Sequence, residues 1–264
     1  MLTFTYKQHI KLITNLSEIV IFGTDAIQGM RNAGKLAKLV LDFIEPYVKE
    51  GISTNELNTL CHDFILSNNA SPAPLNYNGF PKSVCTSVND VVCHGIPGAY
   101  KLRSGDIINI DVTVILDGWY GDTSRTFLVG NCTHLARDLV EITKKAMYVG
   151  IDAVKIGGHI DDIGRAIQKY ISNTPYSIVR DYGGHGIGNF FHGEPFVAHY
   201  DTGSFGAEIK PGMFFTIEPM INAGKHKCKV LKDGWTAVTV DKSLSAQFEH
   251  TIAITEDGVE ILTA

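Results

Sequence analysis

At 264 residues, with 44% hydrophobic and 19% charged side chains, the chain is large enough to bury a core without disulfide staples. A net charge of −5 argues against non-specific nucleic-acid binding, and no DNA partner is expected. Five cysteines without a CxxC motif fit buried free thiols in a reducing compartment; with no signal peptide and no run of 18 apolar residues, a cytoplasmic monomer without a membrane span is expected.

Residues 1–23 are expected to form an N-terminal extension, with Ile10, Leu12, Ile13 and Leu16 on a short amphipathic segment and a short strand over 20–23. From Asp25 to Lys49, Leu36, Leu39, Val40, Phe43, Ile44, Tyr47 and Val48 recur at helical spacing, with Gly51 as the stop. Ser53-Thr54-Asn55-Glu56 is a capping box that opens a second helix through Leu57, Leu60, Cys61, Phe64 and Ile65. A loop over 68–81 leads to a strand pair or strand-turn over 83–92 and then to Cys93-His94-Gly95-Ile96-Pro97. Ile107 to Leu116 and Tyr120 to Val129 are two strands joined at Asp117-Gly118, a strong hairpin signal. Thr133 caps a third helix, Gly157-Gly158 breaks the chain, and Ile160, Ile163, Ile167 and Tyr170 mark a fourth. A strand over 177–182 enters a glycine-rich loop at 183–195; further strands are expected at 213–220, 245–255 and 259–262, with a basic loop at 224–234. Residues 24–264 thus read as one α+β domain. A curved antiparallel sheet is covered on its outer face by two pairs of helices, and the two halves echo each other.

Side chains of a strand alternate faces. In the hairpin, Ile108, Ile110, Val112 and Val114 share one face and Asn109, Asp111 and Thr113 the other; Asp122 shares a face with Ser124 and Thr126. Glu218 likewise sides with Thr216, and Glu249 with Gln247 and Thr251. Four carboxylates gathered on the inner face cannot all ionise without compensation, whereas two divalent cations cancel the charge. With one histidine the donor set is oxygen-rich and thiolate-free, which suits Co, Mn or Fe(II), with Zn or Ni as further candidates. His185 and His192, in GGHGIGNFFHGEP, are the candidate histidines, and His94 is a third loop histidine near the sheet; a phosphate cradle is the weaker reading of these glycines. The cysteines read as small buried hydrophobes.

The segments VVCHGIP, NIDVTV, GDTSRTF, YGGHGIG, FHGEP, FTIEPM, KDGWT and SAQFEHTI, in this order from about residue 24 to the end, resemble the signatures of type I methionine aminopeptidases. The resemblance implies the pita-bread fold with internal pseudo-twofold symmetry. It implies a metalloaminopeptidase that removes the N-terminal methionine of nascent proteins when the second residue is small, with a metal-bridged hydroxide as nucleophile. It also implies the metal ligands Asp111, Asp122, His185, Glu218 and Glu249, with Asp122 and Glu249 bridging. Catalytic roles fall to His94, His192 and Glu218, and a substrate pocket to Tyr77, Phe80, Cys85, His94, Phe191, His192 and Trp235. Phe80 and Pro74 depart from the pattern of bacterial relatives, which carry tyrosine and cysteine there. A monovalent cation near Asn89, Val91 and Ser245 is a further implication. The basic stretch 225–232 (Lys225, Lys227, Lys229, Lys232) is expected to touch ribosomal RNA. The rivals are a prolidase of the same fold and a binding module that has lost its chemistry.

Overall fold

The computed structural model describes residues 18–264; the amphipathic segment read at Ile10–Leu16 lies outside them. Among the described residues the α-helices are α1 (Ala26–Ile44), α2 (Thr54–Ser67), α3 (His134–Asp152) and α4 (Asp161–Ile171). The strands begin with β1 (Ser71–Pro72), β2 (Cys85–Val88), β3 (Val91–Cys93), β4 (Ile107–Leu116) and β5 (Trp119–Leu128). They continue with β6 (Ser177–Ile178), β7 (Gly184–Gly186), β8 (Gly193–Val197), β9 (Phe214–Ile217) and β10 (Met220–Asn222). The last five are β11 (Cys228–Val230), β12 (Ala237–Thr239), β13 (Ser245–Gln247), β14 (Glu249–Thr255) and β15 (Gly258–Ile261).

Among the described residues, a nine-stranded sheet runs β1-β4-β5-β14-β9-β7-β8, with β15 added to β14 and β2 to β4, beside two three-stranded sheets, β13-β10-β6 and β11-β12-β3. Every pairing is antiparallel. Each helix pair closes its own core. The outer face of β4 (Ile108, Ile110, Val112, Val114) is sealed by α1 and α2 through Leu36, Val40, Leu57 and Ile65. Phe215, Ile217, Ile252 and Ile254 are sealed by α3 and α4 through Leu139, Met147, Ile163 and Ile167. Full burial of such a side chain contributes roughly 1.5–3 kcal/mol, which anchors the sheet from outside and leaves its inner face to polar groups.

Local chemistry accounts for most boundaries. Ser53 Oγ accepts from the Glu56 N–H (3.2 Å) and Glu56 Oε2 accepts from the Ser53 N–H (2.8 Å), so the capping box forms. Ser53→Ala is expected to cost about 1 kcal/mol. That lowers the thermal midpoint by roughly 2–4 °C with turnover retained, as a melting curve beside a rate assay checks. Asp117 and Gly118 both have positive φ (51° and 82°), the two-residue turn that matches strand twist. It sets β4 and β5 in register from Leu116↔Trp119 to Ile107↔Leu128.

Several expected elements differ. No strand forms over 20–23; instead the Phe22 N–H donates to Gly212 O (2.9 Å) and its ring packs on Trp119, Phe190 and Phe214. The first helix stops at Ile44, followed by one 3-10 turn over Glu45–Tyr47, because Pro46 has no N–H to continue the ladder. Gly51 serves a later turn, donating its N–H to Leu102 O (2.8 Å). The strand expected over 177–182 is only Ser177–Ile178. The glycine-rich 183–195 stretch is not a loop but carries β7 and the start of β8, and the basic stretch carries β11, paired with β12. The long strands expected at 213–220 and 245–255 are each interrupted, at Glu218-Pro219 and at Phe248, and change there between the nine-stranded sheet and the β13-β10-β6 sheet. Pro219 has no N–H for the ladder. Pairing keeps one register across the break, with Ile217 opposite His250 and Met220 opposite Gln247, so Glu218 comes to lie opposite Glu249. Among the described residues, no helix is long and apolar enough to cross a membrane.

Candidate metal centre and active site

Cross-strand partners share a face, so the registers build the site in two adjacent rows. One row runs Cys85–Asp111–Ser124–Glu249 across β2, β4, β5 and β14, and continues to Glu218. The next runs Thr113–Asp122 and on to Thr251, whose Oγ1 donates to Asp122 O (2.7 Å). Thr251 lies opposite Thr216, and Thr216 Oγ1 accepts from the His185 N–H (3.0 Å). Four acids and one histidine, from β4, β5, β7, β14 and the break after β9, therefore meet on the inner face. His185 Nε2 is 3.6 Å from both Asp122 Oδ2 and Glu218 Oε1. One ligand atom from each of Asp122, His185 and Glu249 lies within 4.8 Å of the others.

Short polar side chains fix the acids. Thr113 Oγ1 donates to Asp122 Oδ1 (2.7 Å), Thr216 Oγ1 to Glu218 Oε1 (2.8 Å), and the Gln247 amide to Glu218 Oε2 (3.2 Å). At the break after β9, the Glu218 N–H donates to Nε2 of His199, a buried histidine. Close approach of β7 depends on glycine: a Cβ on Gly184 would sit 2.2 Å from Thr216 O, and one on Gly186 2.0 Å from Glu194 O.

Electrostatics show what the cluster requires. Burial pushes the Asp111 carboxyl up to about 7. Burial, and then the charge of Asp111, push Asp122 well above the usual range. Glu218 rises through burial and the charges of Asp122 and Asp111, and Glu249 through burial and those of Asp122, Glu218 and Asp111. The acids must share protons or receive cations. Burial also holds His185 down to about 4, so it is neutral at pH 7. Its Nδ1 lies 3.1 Å from Gly186 O, an atom that can only accept, so the proton is on Nδ1 and the Nε2 lone pair faces the carboxylates. The Cys85 thiol next to Asp111 is driven up by burial and stays protonated, leaving an oxygen and nitrogen donor set. The residues fit divalent cations.

Over the cluster lies a cavity of about 140 Å³. The structure gathers Tyr77, Phe80, Cys85, His94, Phe191, His192 and Trp235 around it, together with Pro74. Phe80 and Trp235 meet edge to face (5.2 Å), Tyr77 and Phe191 are 4.8 Å apart, and the His192 ring is 4.3 Å from that of His185. His94 has a positive φ (55°) and packs edge-on against Tyr182 (5.6 Å). His192 Nδ1 lies 2.9 Å from the Tyr77 hydroxyl. Away from the cavity, the Ser245 N–H donates to Asn89 O (2.8 Å), and Val91 opens β3 two residues further on. Lys225, Lys227, Lys229 and Lys232 are exposed on and beside β11.

Sequence reasoning missed Tyr182, Val230, His199 and the amide of Gln247. Tyr182 and Val230 line the cavity. His199 has no local pattern to reveal it; its partner is 19 residues away. Gln247 does carry a signal, since it shares a face with Glu249.

A histidine whose free lone pair faces a cluster of carboxylates, on the inner face of a curled antiparallel sheet, defines a metal-dependent enzyme of the α+β class. Residues 28–256 match metallopeptidase family M24. A methionine aminopeptidase of Rickettsia prowazekii is 59% identical over 235 residues, which span 89% of this chain and 91% of the relative. The crystal structure of methionine aminopeptidase from the same organism superposes with a TM-score of 0.92 at 56% identity, covering 94% of this chain and all of that one (100%). A prolidase of Pyrococcus furiosus shares the fold at 21% identity and a TM-score of 0.74, with 98% of this chain covering 67% of it. The chain belongs to metallopeptidase family M24 and, within it, to the methionine aminopeptidases.

Proposed function

We propose that this chain hydrolyses the peptide bond after the N-terminal methionine of newly made polypeptides whose second residue is small. The observation that carries this reading is the carboxylate–histidine cluster at the floor of an aromatic cavity, in a chain that matches methionine aminopeptidases over about nine-tenths of its length. Asp111, Asp122, His185, Glu218 and Glu249 would hold two divalent cations, with Asp122 and Glu249 shared between them; Mn, Fe(II) and Co suit the donors best. When bound, such cations supply Lewis acidity toward the scissile carbonyl and lower the pKa of water.

The remaining roles belong to the side chains. Glu218 takes a proton on a carboxylate oxygen and passes it toward the leaving amine, while Thr216 and Gln247 hold both of its oxygens in place. His192 donates a hydrogen bond to the oxyanion that develops on the carbonyl, and His94 faces the scissile amide. Tyr77, Phe80, Phe191 and Trp235 enclose an unbranched thioether side chain, which gains from sulfur–aromatic contact. Phe80 has no hydroxyl, so the wall beside Trp235 stays apolar.

Met-Ala-Ser, Leu-Ala-Ser and Ala-Pro peptides incubated with Mn²⁺ or Co²⁺, with and without chelator, test the reading. Metal-dependent release of methionine alone is expected. Cleavage before proline would indicate a prolidase, and no turnover a binding module. Action in the cytoplasm suits five free cysteines. The exposed lysines at 225, 227, 229 and 232 support a salt-sensitive contact with ribosomal RNA. Lys225→Glu with Lys229→Glu should weaken co-sedimentation with ribosomes; binding indifferent to both charge and salt removes this role. The carbonyls of Asn89, Val91 and Ser245 are the proposed monovalent-cation ligands, and a sodium- or potassium-dependent melting midpoint would support them.

A further inference from the structure

We propose that Tyr77 is a positioning residue for the reaction: its hydroxyl donates to Nδ1 of His192 and fixes that imidazole as the tautomer whose Nε2–H is the donor toward the cavity. The inference rests on the reading above that His192 serves the developing oxyanion, and it names what makes that donor available.

A neutral imidazole carries one N–H, and which nitrogen bears it depends on what the other one meets. His192 Nδ1 meets the Tyr77 hydroxyl at 2.9 Å. Burial pushes the Tyr77 phenol up to about 12, so at neutral pH it keeps its O–H. A part-buried phenol O–H needs an acceptor, and the one at hydrogen-bond distance is Nδ1 of His192, so the phenol donates and the imidazole proton is left on Nε2.

The backbone around Tyr77 is built to hold this geometry. Asn76 (φ 66°), Asn78 (φ 49°) and Gly79 (φ 85°) are all left-handed, a conformation disfavoured for most side chains that asparagine tolerates. The Tyr77 N–H donates to Pro74 O (3.0 Å), its carbonyl accepts from the Phe80 N–H (2.9 Å), and the Asn76 N–H donates to Phe80 O (2.8 Å). The Tyr77 ring is also a wall of the cavity, 4.8 Å from Phe191 and 5.3 Å from His192. A substrate side chain that seats against this ring therefore bears on the residue that orients the donor. Recognition of the first residue would then be expressed in turnover as well as in binding.

Tyr77→Phe keeps the ring and removes the O–H. In the divalent-loaded enzyme it should lower kcat for Met-Ala-Ser about tenfold, with KM within about twofold of the parent. In a His192→Ala background the same change should cost less than about twofold, because the residue it acts through is gone. In protein labelled with ¹⁵N-histidine, the His192 signals, assigned by their loss in His192→Ala, should move from the Nε2–H pattern toward a tautomer mixture. If Tyr77→Phe does not fold, the parent spectrum decides alone: an unprotonated Nδ1 on His192 supports the bond as drawn, and an Nδ1–H pattern overturns it. Equal losses of kcat in both backgrounds, or an unchanged tautomer pattern, overturn the proposal. Failure of the parent enzyme to release methionine would overturn the functional reading instead, and the labelled spectra decide the Tyr77–His192 bond independently of it.

Discussion

Asp122→Asn is expected to lower kcat/KM for Met-Ala-Ser by on the order of 10³-fold or more and to reduce the bound metal below that of the parent. Asp122 lies within the cluster: its Oδ2 is 3.6 Å from His185 Nε2, and its charge raises both Glu218 and Glu249. An amide of the same shape keeps one oxygen but loses the charge that draws in a cation. The same substitution should have opposite effects on stability in the two states. With chelator present, removing one of several mutually repelling buried acids should raise the thermal midpoint. With saturating Mn²⁺, the variant should melt below the parent, because it binds the ion less tightly. Melting curves of both proteins, with Mn²⁺ and with chelator, read the two signs directly. A variant that keeps full activity and metal content, or that is destabilised without metal, would show that Asp122 is no part of a charge-compensated centre.

The stabilisation conferred by Mn²⁺ should grow as pH rises from 5 to 8. In metal-free protein Asp111 titrates near 7, and Asp122, Glu218 and Glu249 are also raised. A carboxyl whose folded pKa exceeds its unfolded value of about 4 stabilises the fold while it is protonated. That contribution is present below about pH 4 and is lost as pH climbs through the folded value. Metal-free protein therefore loses stability between about pH 4 and 7 and beyond, on account of these groups. Cations replace the protons and remove the loss, so the gap between the metal-loaded and chelated midpoints widens. His199 and His250, lowered by burial to about 3 and about 4, work the other way: their contribution is lost as pH falls below about 6.5. That slope is common to both forms and cancels in the difference. Each pKa unit is worth about 1.4 kcal/mol, so the widening should amount to several degrees in a chain of this size. Scanning calorimetry at pH 5, 6, 7 and 8, with and without Mn²⁺, measures it. A gap that stays flat would mean that the acids titrate normally.

Much of the site was legible because strand alternation is local. The apolar run Ile108, Ile110, Val112, Val114 marks the outer face of β4, and that alone places Asp111 on the inner face; the left-handed turn at Asp117-Gly118 then sets Asp122 beside Thr113. The capping box at Ser53, the cap at Thr133 and the hairpin turn were legible for the same reason, since their partners lie within four residues. Assigning His185, among several histidines, as the fifth member came instead from the family resemblance. The period-two rule has nothing to read in Gly183-Gly184-His185-Gly186, where small residues replace the alternating pattern, so β7 looked like a loop.

Composition and periodicity by themselves determined the α+β class, the helix pairs and the inward side of each acidic strand, because these depend on neighbours along the chain. Tertiary structure alone decided how strands from the two halves align. Pro219 and Phe248 interrupt two strands side by side, and their preserved register sets Glu218 against Glu249. Folding alone also brought His199 under Glu218 and Tyr77 to His192, partners 19 and 115 residues apart. Such pairings are fixed by the packing of two separate cores against one sheet, and no local pattern in the chain encodes a contact whose halves are that far apart.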